Sequence, residues 1–280
     1  MALTVRTNIA AIRATSRLNR TQGDLGSSLE RISSGLRINR AADDAAGLSV
    51  AARMDSDRVS LDQAMRNTND GISLVQTAEG GLNEIYNLLV RMRELSVQAS
   101  NDTYNSTDRK QINTEFNELA REINRIASTS NFNRQNLLSV AVTYTFQIGI
   151  KNNADNQLAV KMGKFAATLK ALGLDTGNIG TSGISTAARA TKAISIVDAA
   201  LGSLNTKRAT LGAIQNRLES ALNEATSYSE NLASSASQIL DVDYAAESAN
   251  MTRYQIMQQA GVAALGQAKA IPQSVISLLS

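Results

Sequence analysis

LDQAMRNTNDGISLVQTAEGGLNEIYNLLVRMRELSVQAS, Leu61 to Ser100, contains no proline and repeats its apolar residues at steps of three and four. Leu61, Met65, Thr68, Ile72, Val75, Ala78, Leu82, Ile85, Leu88, Met92, Leu95 and Ala99 fall on one stripe, because an α-helix returns to the same face at that spacing. The series predicts a single helix of about 55 residues, roughly 80 Å long at the α-helical rise. Gly71, Gly80 and Gly81 weaken it locally without moving the stripe off one face. A stripe of this length is not stable alone in water and needs other helices to cover it.

The flanking sequence supplies them. Ile112, Phe116, Leu119, Ile123 and Ile126 mark a third helix, and from about Ala187 a long stripe resumes through Ile194, Val197, Leu201, Leu204, Leu211, Ile214, Leu218, Leu222, Ala225, Leu232, Ala236 and Ile239. Before the long helix, Val5, Ile9 and Ile12, then Leu18, Leu25, Leu29, Ile32 and Leu36, recur at helical intervals with one slip, and the segment ends near Gly35. After DVD, Asp241 to Asp243, a last segment runs from Tyr244 to Ser280. The pattern changes to period two at Val142, Tyr144, Phe146, Ile148 and Ile150. It alternates again at Leu158, Val160 and Met162, with Asn152, Asn153, Ala154, Asp155 and Asn156 between. That predicts a β-hairpin near residues 140–163. A connector at 172–186, punctuated by Gly173, Gly177, Gly180 and Gly183, is too short for another domain.

The expected fold is mainly α: a long antiparallel helical coiled-coil rod with one small β-hairpin, plus a domain of paired terminal helices. The rod takes residues 43–240, and the terminal-helix domain takes 1–42 with 241–280. The only proline, Pro272, lies near the C-terminus, so nothing interrupts the long helices.

Composition narrows the function. Four Phe, six Tyr and no Trp in 280 residues leave Ala, Leu, Ile, Val and Met to fill the core, which favours narrow helix–helix interfaces. The chain has no His and no Cys, removing the commonest proton-transfer groups near neutrality, thiolate nucleophiles and the usual zinc ligands. No cofactor or metal is implied. A net charge of +3 is too balanced to indicate nucleic acid, and every apolar run is broken too soon to span a membrane. Arg6, Thr7 and Asn8 interrupt the place where a secretory signal would begin, so if the protein leaves the cell, a route other than a cleaved signal peptide is expected. No acid precedes Asp24 and none follows Glu247. Helices so short of charge are unusual in solvent and suit burial against other protein, so the two ends are expected to assemble.

SSGLRINRAADDAAGLSV, Ser33 to Val50, carries adjacent carboxylates at Asp43 and Asp44. As a catalytic pair they are poorly placed, since neighbouring residues of a helix point about 100° apart. Capping fits better, because an Asp before an apolar helix start accepts hydrogen bonds from the exposed amides there and suits the positive end of its dipole. Gly35 is therefore read as a helix stop, Leu36 to Ala42 as a connecting segment, and Asp43 or Asp44 as the start of the long helix.

The chain resembles the bacterial flagellins, in a minimal form with only the two inner domains. The resemblance is carried by SSGLRINRAADDAAGLSV, by NTNDGISLVQTAEGGLNEI at Asn67 to Ile85, and by RMRELSVQASN at Arg91 to Asn101. In the second half it is carried by LGAIQNRLE at Leu211 to Glu219, DVDYAAES at Asp241 to Ser248, and QQAGVAALGQAKAIPQSVISLL at Gln258 to Leu279. It implies a structural, non-enzymatic subunit that is exported through the flagellar type III system and polymerises with itself into the extracellular filament. Its terminal helices would order on assembly, with Leu18, Leu25, Ile32, Leu265, Val275 and Leu279 in the polymerisation core. The resemblance further implies a flagellar export chaperone, a filament cap and hook–filament junction proteins as partners; a junction protein is itself the alternative identity within the same system. It also places, at Arg91, Leu95, Gln98 and Glu115, a face that contacts neighbouring subunits and docks the host Toll-like receptor that senses flagellin.

Overall fold

The computed structural model describes residues 7–174 and 183–279, and side chains as far as residue 270. Gly177 and Gly180 of the expected connector, and the side chains of Val275 and Leu279, lie outside the described residues. Five α-helices are present among the described residues: α1 Ile9–Ser34, α2 Ala45–Ser100, α3 Ser106–Thr129, α4 Ala187–Leu240 and α5 Tyr244–Leu279. The long stripe is thus one helix of 56 residues. The chain divides into two compact units, residues 1–58 with 230–280 and residues 59–229. These divisions fall inside α2 and α4, whereas 42/43 and 240/241 are breaks between helices within the first unit.

In the second unit, α2, α3, α4 and the β-strands enclose one apolar core that includes Leu82, Ile85, Leu89, Met92, Phe116, Ile123, Phe165, Val197, Leu204 and Leu218. Its organising feature is the register of α2. The buried residues Leu61, Ala64, Thr68, Gly71, Val75, Ala78, Leu82, Ile85, Leu89, Met92, Ser96 and Ala99 follow one another at steps of three and four in strict alternation. That 3.5-residue period is the seam of a left-handed coiled coil. Met65, Ile72 and Leu88, which hydrophobicity alone sets on the stripe, are half-buried at its flank. Ala64, Gly71 and Leu89 take their places, and Leu74 and Leu95 widen the buried face.

Close approach explains the substitution of small residues for large ones in the seam. A Cβ on Gly71 would lie 3.4 Å from Leu218 Cδ2 and from the Phe146 ring, so the residue fits with contact and no spare room. The two hydroxyls in the seam are satisfied on their own helix. Thr68 Oγ1 donates to Ala64 O at 2.8 Å and Ser96 Oγ donates to Met92 O at 2.8 Å, which removes the penalty of burying them.

The expected hairpin is present as β3 Thr143–Gln147 paired antiparallel with β4 Gln157–Lys161, Tyr144 opposite Val160 and Phe146 opposite Leu158. Leu158 and Val160 are buried and the residues between and beside them are exposed, as alternation requires. Ile148 and Ile150 leave the ladder and enter the bend. A second, two-residue hairpin, β1 Asn131–Phe132 with β2 Gln135–Asn136, is too short for periodicity to announce. Asn133 and Arg134 at its turn both have positive φ, 47° and 63°, the requirement of a tight turn that matches strand twist. Asn136 then secures the return: its Nδ2 donates to Ala127 O and its Oδ1 accepts from Leu138 N at 3.1 Å and Ser139 N at 2.8 Å. Lys207 of α4 donates from Nζ to Ala166 O at 2.6 Å, and burial lowers its pKa from the ordinary lysine value.

The register has a direct test. Leu89→Ala empties a fully buried position and is expected to destabilise the fold by about 2–5 kcal/mol. Leu88→Ala, one residue away on the half-buried flank, is expected to cost less than half as much in urea unfolding followed by circular dichroism. Equal losses would place the seam wrongly.

Candidate functional site

The first unit is built on α1 packed antiparallel against α5. Asn8 starts α1, its Oδ1 accepting from Ala11 N at 3.0 Å while its Nδ2 donates to Ala268 O at 2.7 Å. Midway, a Cβ on Gly261 would lie 3.2 Å from Leu18 Cδ1. Further along, Ser28 Oγ donates to Glu247 Oε1 at 2.6 Å, and Arg31 reaches the other carboxylate oxygen at 4.0 Å. Ser28 is buried and Glu247 nearly so.

The seam again steps by three and four. On α1 it comprises Ala11, Ala14, Leu18, Thr21, Leu25, Ser28 and Ile32, and on α5 Glu247, Met251, Tyr254, Gln258, Gly261, Leu265 and Ala268. Leu18, Leu25, Ile32 and Leu265 are therefore half-buried against the partner helix. Ile9, Ile12 and Leu29, read with them as one stripe, are not: they are exposed by 54%, 60% and 47%. Ile256, Met257 and Val262 of α5 are exposed as well. For Ile9 and Ile12 the slip before Leu18 was the signal, whereas Leu29 lies beyond the slip, at a helical interval from Leu25, and carries no such mark.

Between α1 and α2 the chain forms a spoke fixed by backbone bonds. Gly35 caps α1 with φ 75°, donating its N–H to Arg31 O at 2.9 Å, a left-handed conformation that disfavours any residue with a Cβ. Its own carbonyl accepts from Val242 N at 3.0 Å, and Leu36 bridges to Asp241. Arg37 continues the ladder by donating its N–H to Leu240 O at 2.6 Å and its guanidinium to Ile239 O. Arg40 and Glu30 form a forked ion pair at 2.7 Å.

Asp43 and Asp44 have different tasks. Asp44 Oδ1 accepts from Gly47 N at 2.8 Å, which makes it the N-cap of α2. Asp43 Oδ2 accepts from Arg40 N at 2.9 Å and Asn39 N at 3.1 Å and so folds the spoke back on itself. Those two backbone donors lower the Asp43 pKa below the ordinary carboxylate value. Both carboxylates are engaged by backbone amides, and among the described residues no three acids, histidines or cysteines are grouped to hold a metal ion.

In the second unit, Arg91 of α2 bridges two acids, Glu115 of α3 at 2.8 Å and Glu94 at 3.0 Å, and both raise its pKa. Gln98 Nε2 donates to the Tyr104 hydroxyl at 3.1 Å. Arg91, Gln98 and Glu115 are exposed, with Val97 exposed beside them. Leu95 is not on this face. It is 1% exposed and belongs to the core, so in this conformation it supports the surface from beneath.

This layout, a charge-poor terminal helix pair joined by a bonded spoke to long coiled-coil helices, is that of a self-assembling structural subunit. A family profile described as the bacterial flagellin N-terminal helical region matches residues 5–143, and one described as the C-terminal helical region matches residues 194–279. A flagellin of Halalkalibacterium halodurans is 43% identical over 263 residues, covering 94% of this chain and 93% of that one. The flagellar filament 33 kDa core protein of Treponema phagedenis is 40% identical over 284 residues, covering 97% and 98%. The crystal structure of Bacillus cereus flagellin aligns at 33% identity and a TM-score of 0.49, covering 61% of this chain and 94% of that one. The chain belongs to the bacterial flagellin family. It is a structural subunit of the flagellar filament, and its working location is extracellular.

The spoke acid yields a pH prediction. A carboxylate whose folded pKa is depressed contributes stability above its unfolded pKa and loses it as pH falls through the folded one. The difference in Tm between the parent and Asp43→Asn is therefore expected to be constant above about pH 5 and to shrink below about pH 4. A difference independent of pH down to pH 2 would remove Asp43 from the spoke's acid response.

Proposed function

We propose that this flagellin polymerises through the outer faces of α1 and α5, giving an open helical homopolymer of the kind that head-to-tail contacts between identical subunits generate. The observation that carries this reading is the exposure of Ile9, Ile12, Leu29, Ile256, Met257 and Val262 on a helix pair whose seam is already closed. Such side chains gain by leaving water, about 25 cal/mol per Å² of apolar surface. Asp43 and Asp44 have no catalytic part in this reading, and the chain leaves the cell by flagellar type III export without a cleaved signal peptide.

Ile12→Ser with Val262→Ser removes outward apolar surface and leaves the seam intact. The full-length variant is expected to keep the parent's helix content and to elongate on filament seeds at least tenfold more slowly in a sedimentation assay. Normal elongation would sink the proposal. An abundant filament component, as opposed to a junction ring of few copies, also fits the near full-length similarity to a filament core protein. An export chaperone, a filament cap and hook–filament junction proteins are its further proposed partners.

A second surface supports a recognition role. The exposed Arg91, Glu115 and Gln98 form a polar face on the second unit, which we assign to contact with neighbouring subunits and to docking of the Toll-like receptor that senses flagellin. Arg91→Ala is expected to lower receptor-dependent signalling by the monomer about tenfold or more, because Arg is a frequent interface anchor and its loss also leaves Glu115 unpaired. A dose–response curve in receptor-expressing cells overlying the parent's would remove Arg91 from that face.

A further inference from the structure

The bend of the long hairpin closes a cavity in the second unit. Residues 148–156 turn the chain from β3 into β4, and bonds within the bend fix its shape. Ile148 N and Gly149 N both donate to Asn156 O, at 2.9 and 3.3 Å. Gln147 Nε2 donates to Gly149 O at 2.8 Å and to Lys151 O at 2.9 Å. Asn67 of α2 donates from Nδ2 to Gln147 O at 3.1 Å and pins the bend to the long helix. A Cβ on Gly149 would collide with the Asn156 side chain, so the turn has no slack there.

Residues of this bend, of α2 and of α4 line a half-open cavity of about 410 Å³, within the range of small-molecule sites. Its apolar lining includes Leu61 of α2 and Ala225 of α4, both buried, and Tyr228, which is 45% exposed. Three charged side chains line it as well, Lys151 and Asp155 from the bend and Glu224 from α4. All three are exposed, and none has an ion pair or a side-chain hydrogen bond among the described residues. Elsewhere in this unit Glu115, Glu122 and Asp198 each hold an arginine. The cavity therefore presents two free carboxylates and one free ammonium beside an apolar surface.

That set of groups selects among ligands. A simple anion meets two carboxylates, and a simple cation leaves Lys151 unanswered. A divalent metal lacks its donors, since among the described residues no three acids are grouped to hold one. An uncharged apolar molecule covers the lining and satisfies no charge. A small zwitterion with an apolar portion answers every group.

We propose that the cavity binds a free α-amino acid with an aliphatic side chain. Asp155 and Glu224 hold the ammonium, Lys151 holds the carboxylate, and the side chain lies against Leu61, Ala225 and Tyr228. The site is complete within one chain, so it stands apart from polymerisation. Exposed charge pairs contribute little each, and the affinity is accordingly modest, with a Kd on the order of 1 mM.

The test is NMR titration of the isotope-labelled, full-length monomer. L-leucine is the probe, beside leucinamide, which lacks the carboxylate, and isocaproate, which lacks the ammonium. Leucine is expected to shift the amide resonances of residues 148–156 and 221–228 saturably, and each analogue to bind about threefold or more weakly. Lys151→Gln is expected to weaken leucine by a similar factor and to leave leucinamide unchanged. Asp155→Asn with Glu224→Gln is expected to weaken leucine and leucinamide alike and to spare isocaproate. All three positions are exposed, so the variants are expected to keep the parent's helix content. Shifts that remain linear up to about 20 mM leucine would overturn the proposal. So would analogues that bind as tightly as leucine, or variants that bind all three probes as the parent does.

Discussion

A seam that advances by three and then four residues constrains everything else in this molecule. It must remain on one face of α2 for almost forty residues, and helix surfaces drift off one another unless the apolar period is held at 3.5. The chain holds it with Ala64, Thr68, Gly71, Ala78, Ser96 and Ala99 as much as with leucines. Small side chains let Phe146 and Leu218 close over Gly71, and the large residues at 82, 85, 89 and 92 fill the wider part of the core. A protein with four Phe and no Trp can build so long a core only by narrow packing of this type.

The same rule governs the terminal pair with the opposite outcome. There the seam is thin, with Ala11, Ala14, Thr21 and Gly261 at its positions, and its few large members, Leu18, Leu25, Ile32 and Leu265, are only half-buried. The helices meet without enclosing a core. Apolar side chains that a globular unit would hide stay outside, and they are the surface that the proposed assembly would bury. The spoke bonds hold Gly35, Leu36 and Arg37 against Leu240 to Val242 and so keep the two terminal helices together at that end.

Much of this was legible in the sequence, and the exceptions have physical causes. The existence and length of α2, the restart at Ala187 and the alternation of the long hairpin all follow from periodicity. The register did not, since hydrophobicity favours Met65, Ile72 and Leu88 over Ala64, Gly71 and Leu89, and only packing distance decides among them. Ile9, Ile12 and Leu29 recur at helical intervals like the seam residues, and an outward apolar face looks the same as an inward one in one dimension. Leu95 shows the converse: a residue assigned by resemblance to a contact face has its side chain in the core, whereas Arg91, Gln98 and Glu115 reach the surface. The hairpin at Asn131–Asn136 was illegible because two-residue strands have no period, and its turn relies on positive φ in Asn and Arg without a glycine.

Thr68 and Ser96 sit in the dry seam, yet each donates to a carbonyl four residues back on its own helix. Neither makes a demand on the helix opposite. A small axial shear of α2 against its neighbours therefore breaks no hydrogen bond at these two positions, and the polar ties it would strain lie at the rim, at Arg91–Glu115 and Arg93–Asp198. Within the seam itself, resistance to sliding comes from the shapes of the packed side chains and not from bonded partners across it.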